Sequence, residues 1–81
     1  MNKSEFMAVC EEAFQIHSKS PYDDMWKKFS PSELMSAAAY KSRRGTLLPV
    51  GEAKIRDDAL DAINFLVFAI VKLSSGKGES V

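Results

Sequence analysis

The sequence has little of several features that mark particular classes of protein. It contains one cysteine, Cys10, so no disulfide can form within the chain and a reducing cytoplasm is the simplest location. Its longest apolar run, from Phe65 to Val71, is far shorter than the roughly 20 residues that a membrane span needs. Its formal net charge is zero, which argues against holding nucleic acid mainly by charge. We therefore expect a soluble, cytoplasmic protein with no membrane segment, for which nucleic acid is not an expected partner.

The composition is that of a small folded domain. Hydrophobic residues make up 46% of the 81 residues and charged residues 27%, which is typical of globular proteins and not of disordered chains. A chain of this length buries only about 60% of the surface that its unfolded form exposes, so its core is thin. We expect one domain over residues 1–73, followed by a polar tail over residues 74–81 that is disordered.

Three segments have the periodicity of helices, and no segment alternates as a strand would. The predicted fold class is therefore all-α. The first helix is predicted to begin after Ser4, as its N-cap, and to end at about His17, because apolar residues recur there at spacings of three and four. A connector over residues 18–29 follows and carries aromatic side chains, which favours a packed loop with a short turn at residues 23–28.

The second helix has the clearest start in the sequence. Ser30, Pro31 and Glu33 form a capping box with a favourable proline at the first helical position. Gly45 is suited to the C′ position, which predicts a helix over residues 31–44. The connector to the third helix, residues 46–51, is expected to place its apolar side chains in the core.

The third helix is predicted to begin near Glu52 and to end at about Leu73. One apolar stripe runs along it, and further apolar residues cover most of its remaining sides. A helix that is apolar on all sides must be buried on all sides, and two shorter helices cannot surround it. We therefore predict a homo-oligomer, a helical dimer built around this long C-terminal helix.

Three aspartates lie at the front of this helix. Asp58 and Asp61 are three residues apart, and Asp57 and Asp61 are four apart, so all three project toward one side. Two interpretations stay open. Acidic residues suit the first turn of a helix and have Lys54 and Arg56 nearby, but carboxylates at this spacing also suit a hard divalent cation such as Mg²⁺.

Three segments resemble a known family in the same order. The residues are those of "SKSPYDDMW" (18–26), "AAAYKSRRG" (37–45) and "DDALDAINFLVFAI" (57–70). Together they resemble the nucleotide-modification-associated domain of phages and prophages, within the MazG-like superfamily of all-α nucleoside triphosphate pyrophosphatases. The resemblance extends over roughly residues 10–73.

The resemblance implies a role for particular residues. It implies that Asp58 and Asp61, with Glu11 or Glu12 from the first helix, hold Mg²⁺ that bridges a triphosphate and orients an attacking water. The implied catalytic residues are Glu12, Asp58 and Asp61. The implied substrate-binding residues are Lys19, Tyr22, Trp26, Lys41, Arg44 and Asn64. The expected function is thus Mg²⁺-dependent binding and hydrolysis of a nucleotide.

Departures from the family pattern leave other functions open. The superfamily has two glutamates three residues apart on its first helix, whereas Glu5, Glu11 and Glu12 do not have that spacing here. The main alternative is a non-catalytic phage-type protein of the same fold that binds a host protein. A third is weak binding of nucleic acid through a basic patch at Lys41, Arg43 and Arg44.

Overall fold

The computed structural model describes residues 1–20, 24–47 and 49–80. In that part of the chain every regular element is helical and there is no strand, which confirms the all-α prediction. The elements are α1 (Lys3–Ser18), a 3₁₀ helix (Met25–Lys28), α2 (Pro31–Leu47) and α3 (Glu52–Ser80). The 3₁₀ helix occupies the segment where a short turn was predicted. None of these helices combines the length and apolar character that crossing a membrane requires.

The start of α1 differs from the prediction. Asn2, and not Ser4, is the N-cap: its backbone is extended, and its side-chain oxygen accepts a hydrogen bond of 2.9 Å from the Glu5 amide. Asparagine caps helices as well as serine does, so the sequence holds two candidates. The upstream candidate forms the cap, and Ser4 lies inside the first turn.

Both ends of α2 have identifiable causes. The predicted capping box is confirmed, because the Glu33 amide donates to Ser30 Oγ at 3.1 Å and the Ser30 amide donates to Glu33 Oε1 at 2.9 Å. The predicted end at Gly45 is wrong, since the helix continues to Leu47. No glycine in the described residues has the positive φ that a C′ glycine supplies. Pro49 follows closely and is suited to ending the helix instead.

Helices α2 and α3 form an antiparallel hairpin with a small core. Lys41 contacts Asp61 and Arg44 contacts Asp58, so a later residue of α2 meets an earlier residue of α3. The buried apolar side chains between the helices are small apart from two leucines. They are Ala13, Leu34, Ala38, Leu60, Ala62 and Ala69. Only Ala13 comes from α1, which packs against α3 with little apolar burial.

Two predictions at the ends of α3 have different outcomes. The connector before α3 was expected to place its apolar side chains in the core. Leu47 contradicts this expectation, because its side chain is 68% exposed. Leu48 lies outside the described residues. At the other end, α3 runs through Ser80 and not to about Leu73. A helical conformation is not a measure of mobility, so the disorder predicted for residues 74–81 stays a prediction.

Candidate functional site

Two ion pairs join α2 to α3, and we call them the charged ladder. Arg44 holds Asp58 with two guanidinium nitrogens, and the Nε–Oδ2 distance is 2.9 Å. Lys41 Nζ lies 3.0 Å from Asp61 Oδ2. Both the cations and the acids are three residues apart, which is one turn of a helix, so the two pairs stack along the antiparallel hairpin. The ladder therefore brings together four of the residues that the family resemblance singled out.

Asp58 is the buried member of the ladder. It is 3% exposed, and Lys54 Nζ lies 3.7 Å from its Oδ1 as a second cation. The hydrogen bond from Arg44 lowers the pKa of Asp58 and outweighs the opposing effect of burial. The same bond raises the pKa of Arg44. A bidentate guanidinium supplies the hydrogen bonds that a buried carboxylate needs, so Asp58 is charged and compensated.

The acidic residues of α1 lie outside the ladder. Glu12 pairs with both terminal nitrogens of Arg56, which ties α1 to the front of α3. The hydrogen bond from Arg56 lowers the pKa of Glu12. Glu11 is exposed and accepts a hydrogen bond of 2.9 Å from Gln15 on its own helix. Each predicted metal ligand of α1 is thus engaged by a neighbouring side chain.

The neighbours of the carboxylates determine whether these acids can form a ligand set for Mg²⁺. Magnesium binds through oxygen ligands that converge on one point, whereas Glu12, Asp58 and Asp61 each face a cationic side chain. Among the described residues no group of three or more histidine, cysteine, aspartate or glutamate side chains is placed to hold a metal ion. This arrangement does not fit magnesium, and the ligand set implied by the family stays a prediction.

A cavity of about 300 Å³ opens beside the ladder, and we call it the aromatic cavity. It lies where α1, the 3₁₀ helix and α3 meet. The Trp26 and Phe68 rings stack with centroids 4.7 Å apart and planes 14° apart, and His17 tilts against Phe68 at 4.6 Å. Asp61 and Asn64 supply polar atoms to the same wall. The cavity therefore combines flat aromatic surface with a carboxylate and an amide.

The predicted substrate-binding residues are only partly brought together. Trp26 and Asn64 line the aromatic cavity with Asp61, and Lys41 pairs with Asp61 without lining the cavity itself. Asn64 Nδ2 donates to the carbonyl of Ala13 at 2.9 Å, so it also holds α1 in place. Three other predicted residues do not join this group. Lys19 is exposed at the end of α1, Arg44 is committed to Asp58, and Tyr22 lies outside the described residues.

Two further residues contribute to this region and were not predicted from the sequence. His17 was not among the predicted site residues, although its place four residues after Ala13 on the apolar side of α1 points it toward α3. Lys72 was not singled out either. Its Nζ donates to the carbonyls of Lys27, at 2.7 Å, and Phe29, which fastens the 3₁₀ helix to α3. A lysine inside an apolar helical segment is the signal that would have found it.

No family model, no curated protein and no solved structure matches this chain. The resemblance therefore rests on the residues of the sequence alone.

Proposed function

We propose that this protein binds a nucleotide, with the base in the aromatic cavity. The observation that carries the proposal is the convergence of Trp26, Asp61 and Asn64 on one cavity, with Lys41 paired to Asp61. These residues come from three elements that are far apart in the sequence. They also belong to the segments that resemble the family.

The chemistry of the cavity suits a planar base. Aromatic side chains stack on any base, and such stacking contributes about 1–3 kcal/mol per base. The Asp61 carboxylate accepts hydrogen bonds, and an exocyclic amino group on a base is a matching donor. Lys41 supplies a positive charge beside Asp61, where it can meet a phosphate that extends out of the cavity.

Hydrolysis of the bound nucleotide is a further activity that goes beyond binding. The resemblance to the pyrophosphatase superfamily supports it, with Glu12, Asp58 and Asp61 as the proposed catalytic residues. The ion pairs of those residues weigh against it, because binding Mg²⁺ requires the carboxylates to leave their cations. Binding and hydrolysis are therefore proposed separately and are measured separately.

The single tryptophan allows a direct test of binding. Trp26 is the only tryptophan and lies in the cavity, so a base that stacks there is expected to change its fluorescence. The purified protein would be titrated with ribo- and deoxynucleoside triphosphates, with and without Mg²⁺, while pyrophosphate release is followed. We expect at least one nucleotide to change the fluorescence in a saturable way. No change with any nucleotide at millimolar concentration would contradict the proposal.

A matched pair of variants locates the site. Asp61→Asn is expected to weaken nucleotide binding by about tenfold, which corresponds to about 1.4 kcal/mol for one lost polar contact. Asp57→Asn, on the exposed side of the same helix, is expected to bind as the wild type does. Equal affinities for the two variants would show that the cavity is not the site. Pyrophosphate release that disappears in Asp61→Asn would establish hydrolysis.

The second candidate is a non-catalytic protein that binds a host protein. It is supported by the ion pairing of Asp58, Asp61 and Glu12, which gives these acids a structural role. In either function we propose a homo-oligomer built around α3, because large apolar side chains of this helix are exposed. A host-binding protein would tolerate Asp61→Asn without loss of binding and would leave Trp26 fluorescence unchanged by nucleotides.

A further inference from the structure

Helix α3 gives the aromatic cavity a polar wall of two side chains. They are Asp61 and Asn64, which lie one helical turn apart, and we call them the α3 wall. A carboxylate at neutral pH accepts hydrogen bonds and donates none. An amide can do both, so what Asn64 offers to a ligand depends on which of its atoms is engaged elsewhere.

A contact with α1 fixes the orientation of the Asn64 amide. Its Nδ2 donates to the carbonyl of Ala13 at 2.9 Å, and because a carbonyl only accepts, the amide nitrogen must face α1. Ala13 is 1% exposed, so little water competes for this hydrogen bond. The oxygen, Oδ1, is then the atom that Asn64 offers to a ligand in the cavity.

A contact with α2 orients Asp61 in a similar way. Lys41 Nζ lies 3.0 Å from Oδ2, and an ammonium group only donates. The other oxygen, Oδ1, is then the atom that Asp61 offers to a ligand. A different helix anchors each member of the α3 wall, so both acceptors are positioned before a ligand arrives, which lowers the cost of ordering them on binding.

We propose that the aromatic cavity selects guanine among the bases. This inference rests on the nucleotide binding proposed above and specifies the base. Guanine has two neighbouring donors on one edge, N1–H and the 2-amino group, and these match the two acceptors of the α3 wall. Adenine and cytosine have a ring-nitrogen acceptor beside their amino group, and uracil and thymine have a single N–H between two carbonyls. Each of those edges would bring an acceptor against Asp61 or Asn64.

The rest of the cavity is compatible with any base. Its volume of about 300 Å³ is at the lower end of the range for small-molecule sites, as expected where only the base enters. Trp26, Phe68 and His17 provide aromatic surface, on which every base can stack. Ser20 also lines the cavity, and a hydroxyl can either donate or accept. The choice of base therefore depends on the α3 wall.

Nucleotides that differ in the base test the preference. GTP, ITP and ATP would be titrated into the full chain by isothermal calorimetry. The base of ITP lacks the 2-amino group of guanine and is otherwise identical, so ITP is expected to bind about tenfold more weakly because one hydrogen bond is lost. ATP is expected to bind more weakly still, because its ring nitrogen opposes an acceptor. ITP or ATP that binds as tightly as GTP would overturn the proposal.

The variant Asp61→Asn tests whether the α3 wall sets the preference. Lys41 only donates, so it is expected to attract the oxygen of the new amide and turn the nitrogen toward the cavity. A donor beside an acceptor matches adenine. The affinity for GTP is expected to fall about tenfold while that for ATP does not, so the preference for GTP over ATP falls by at least that factor. A preference that stays as in the wild type would overturn the role of the α3 wall.

The matched control is Asp57→Asn, at an exposed position of the same helix, and it is expected to keep the wild-type preference. A change of preference in this control as large as that in Asp61→Asn would also overturn the proposal. The preference compares two ligands on one folded protein, so a loss of stability alone does not reverse it. Circular dichroism is expected to show that both variants are helical.

This inference and the proposed function fail in different ways. Several nucleotides that bind with similar affinity would overturn the selection of guanine and leave nucleotide binding in place. No binding of any nucleotide would contradict both. A preference for GTP over ITP that Asp61→Asn weakens is the result expected if both are right.

Discussion

At the scale of single residues, Asp58 shows how one carboxylate can be buried in a small protein. Its burial alone would favour the neutral acid, but two hydrogen bonds from Arg44 favour the charged form and lower its pKa. A buried ion pair of this kind adds little net stability compared with an apolar pair of the same shape. Removing one partner is costly, however, because the other charge is left without compensation.

Substitution of Asp58 is therefore predicted to destabilise the protein strongly. Asp58→Asn leaves the Arg44 guanidinium without its carboxylate, and we expect the melting temperature to fall by on the order of 10 °C. Thermal unfolding followed by circular dichroism at pH 7 measures this change. Asp57→Asn is the matched control, since the neighbouring side chain is exposed, and its melting temperature is expected to stay close to that of the wild type. Equal melting temperatures for the two variants would show that the Arg44–Asp58 pair is not important for stability.

At the scale of elements, local hydrogen bonds define where the helices begin. The Ser30–Glu33 capping box satisfies two amides at the start of α2, and Asn2 satisfies one at the start of α1. At the start of α3, the Gly51 carbonyl accepts from the Lys54 and Ile55 amides, and glycine provides no side-chain cap. The three helix starts therefore differ in how much a side chain contributes to them.

The cap of α2 is predicted to contribute measurably to stability. Ser30→Ala removes the oxygen that accepts from the Glu33 amide, and the free energy of unfolding is expected to fall by about 1 kcal/mol. Ser36→Ala, at an exposed position inside the same helix, is expected to have no cost or to stabilise slightly, because alanine has the higher helix propensity. Urea unfolding of the two variants at one protein concentration compares them. A similar loss in both would indicate that the capping box is not responsible.

At the scale of the whole molecule, interactions of carboxylates set how stability depends on pH. Hydrogen bonds lower the pKa of three acids below their ordinary values. They are Glu12 through Arg56, Glu33 through the Ser30 amide, and Asp58 through Arg44. The folded protein therefore binds fewer protons than the unfolded chain over the acidic range, and its stability rises with pH there.

Acid is accordingly predicted to destabilise the protein. The ordinary pKa values are 4.5 for the glutamates and 3.8 for the aspartate, so the stabilisation is complete above about pH 5 and is lost as the pH falls through the lowered values. Urea midpoints measured at a fixed protein concentration are expected to be constant from pH 6 to 7 and to fall below pH 4. Arg56→Gln, which removes the partner of Glu12, is expected to make this fall shallower. A midpoint that rises on acidification would contradict the assignment.

Much of the fold was predictable because its signals are local. The capping box, the helical periodicity and the lack of strand alternation each depend on residues a few positions apart. Two of the three errors at helix ends have the same local origin: Asn2 and Ser4 are both competent caps, and a glycine such as Gly45 can take either helical geometry or that of a C′ residue. The helix-capping preferences of such alternatives are too similar to decide where the helix begins or ends.

The candidate site was predictable only as a set of residue types. The sequence by itself determined that α3 carries acids at its front and apolar residues behind, and that α2 ends with cations. Only the tertiary structure decided that Asp58 meets Arg44, that Asp61 meets Lys41, and that Glu12 meets Arg56. Only the tertiary structure decided, too, that Leu66 and Ile70 of α3 face away from the hairpin. The physical reason is that caps and periodicity depend on neighbours in sequence, whereas ion pairs and buried faces depend on how whole helices pack against one another.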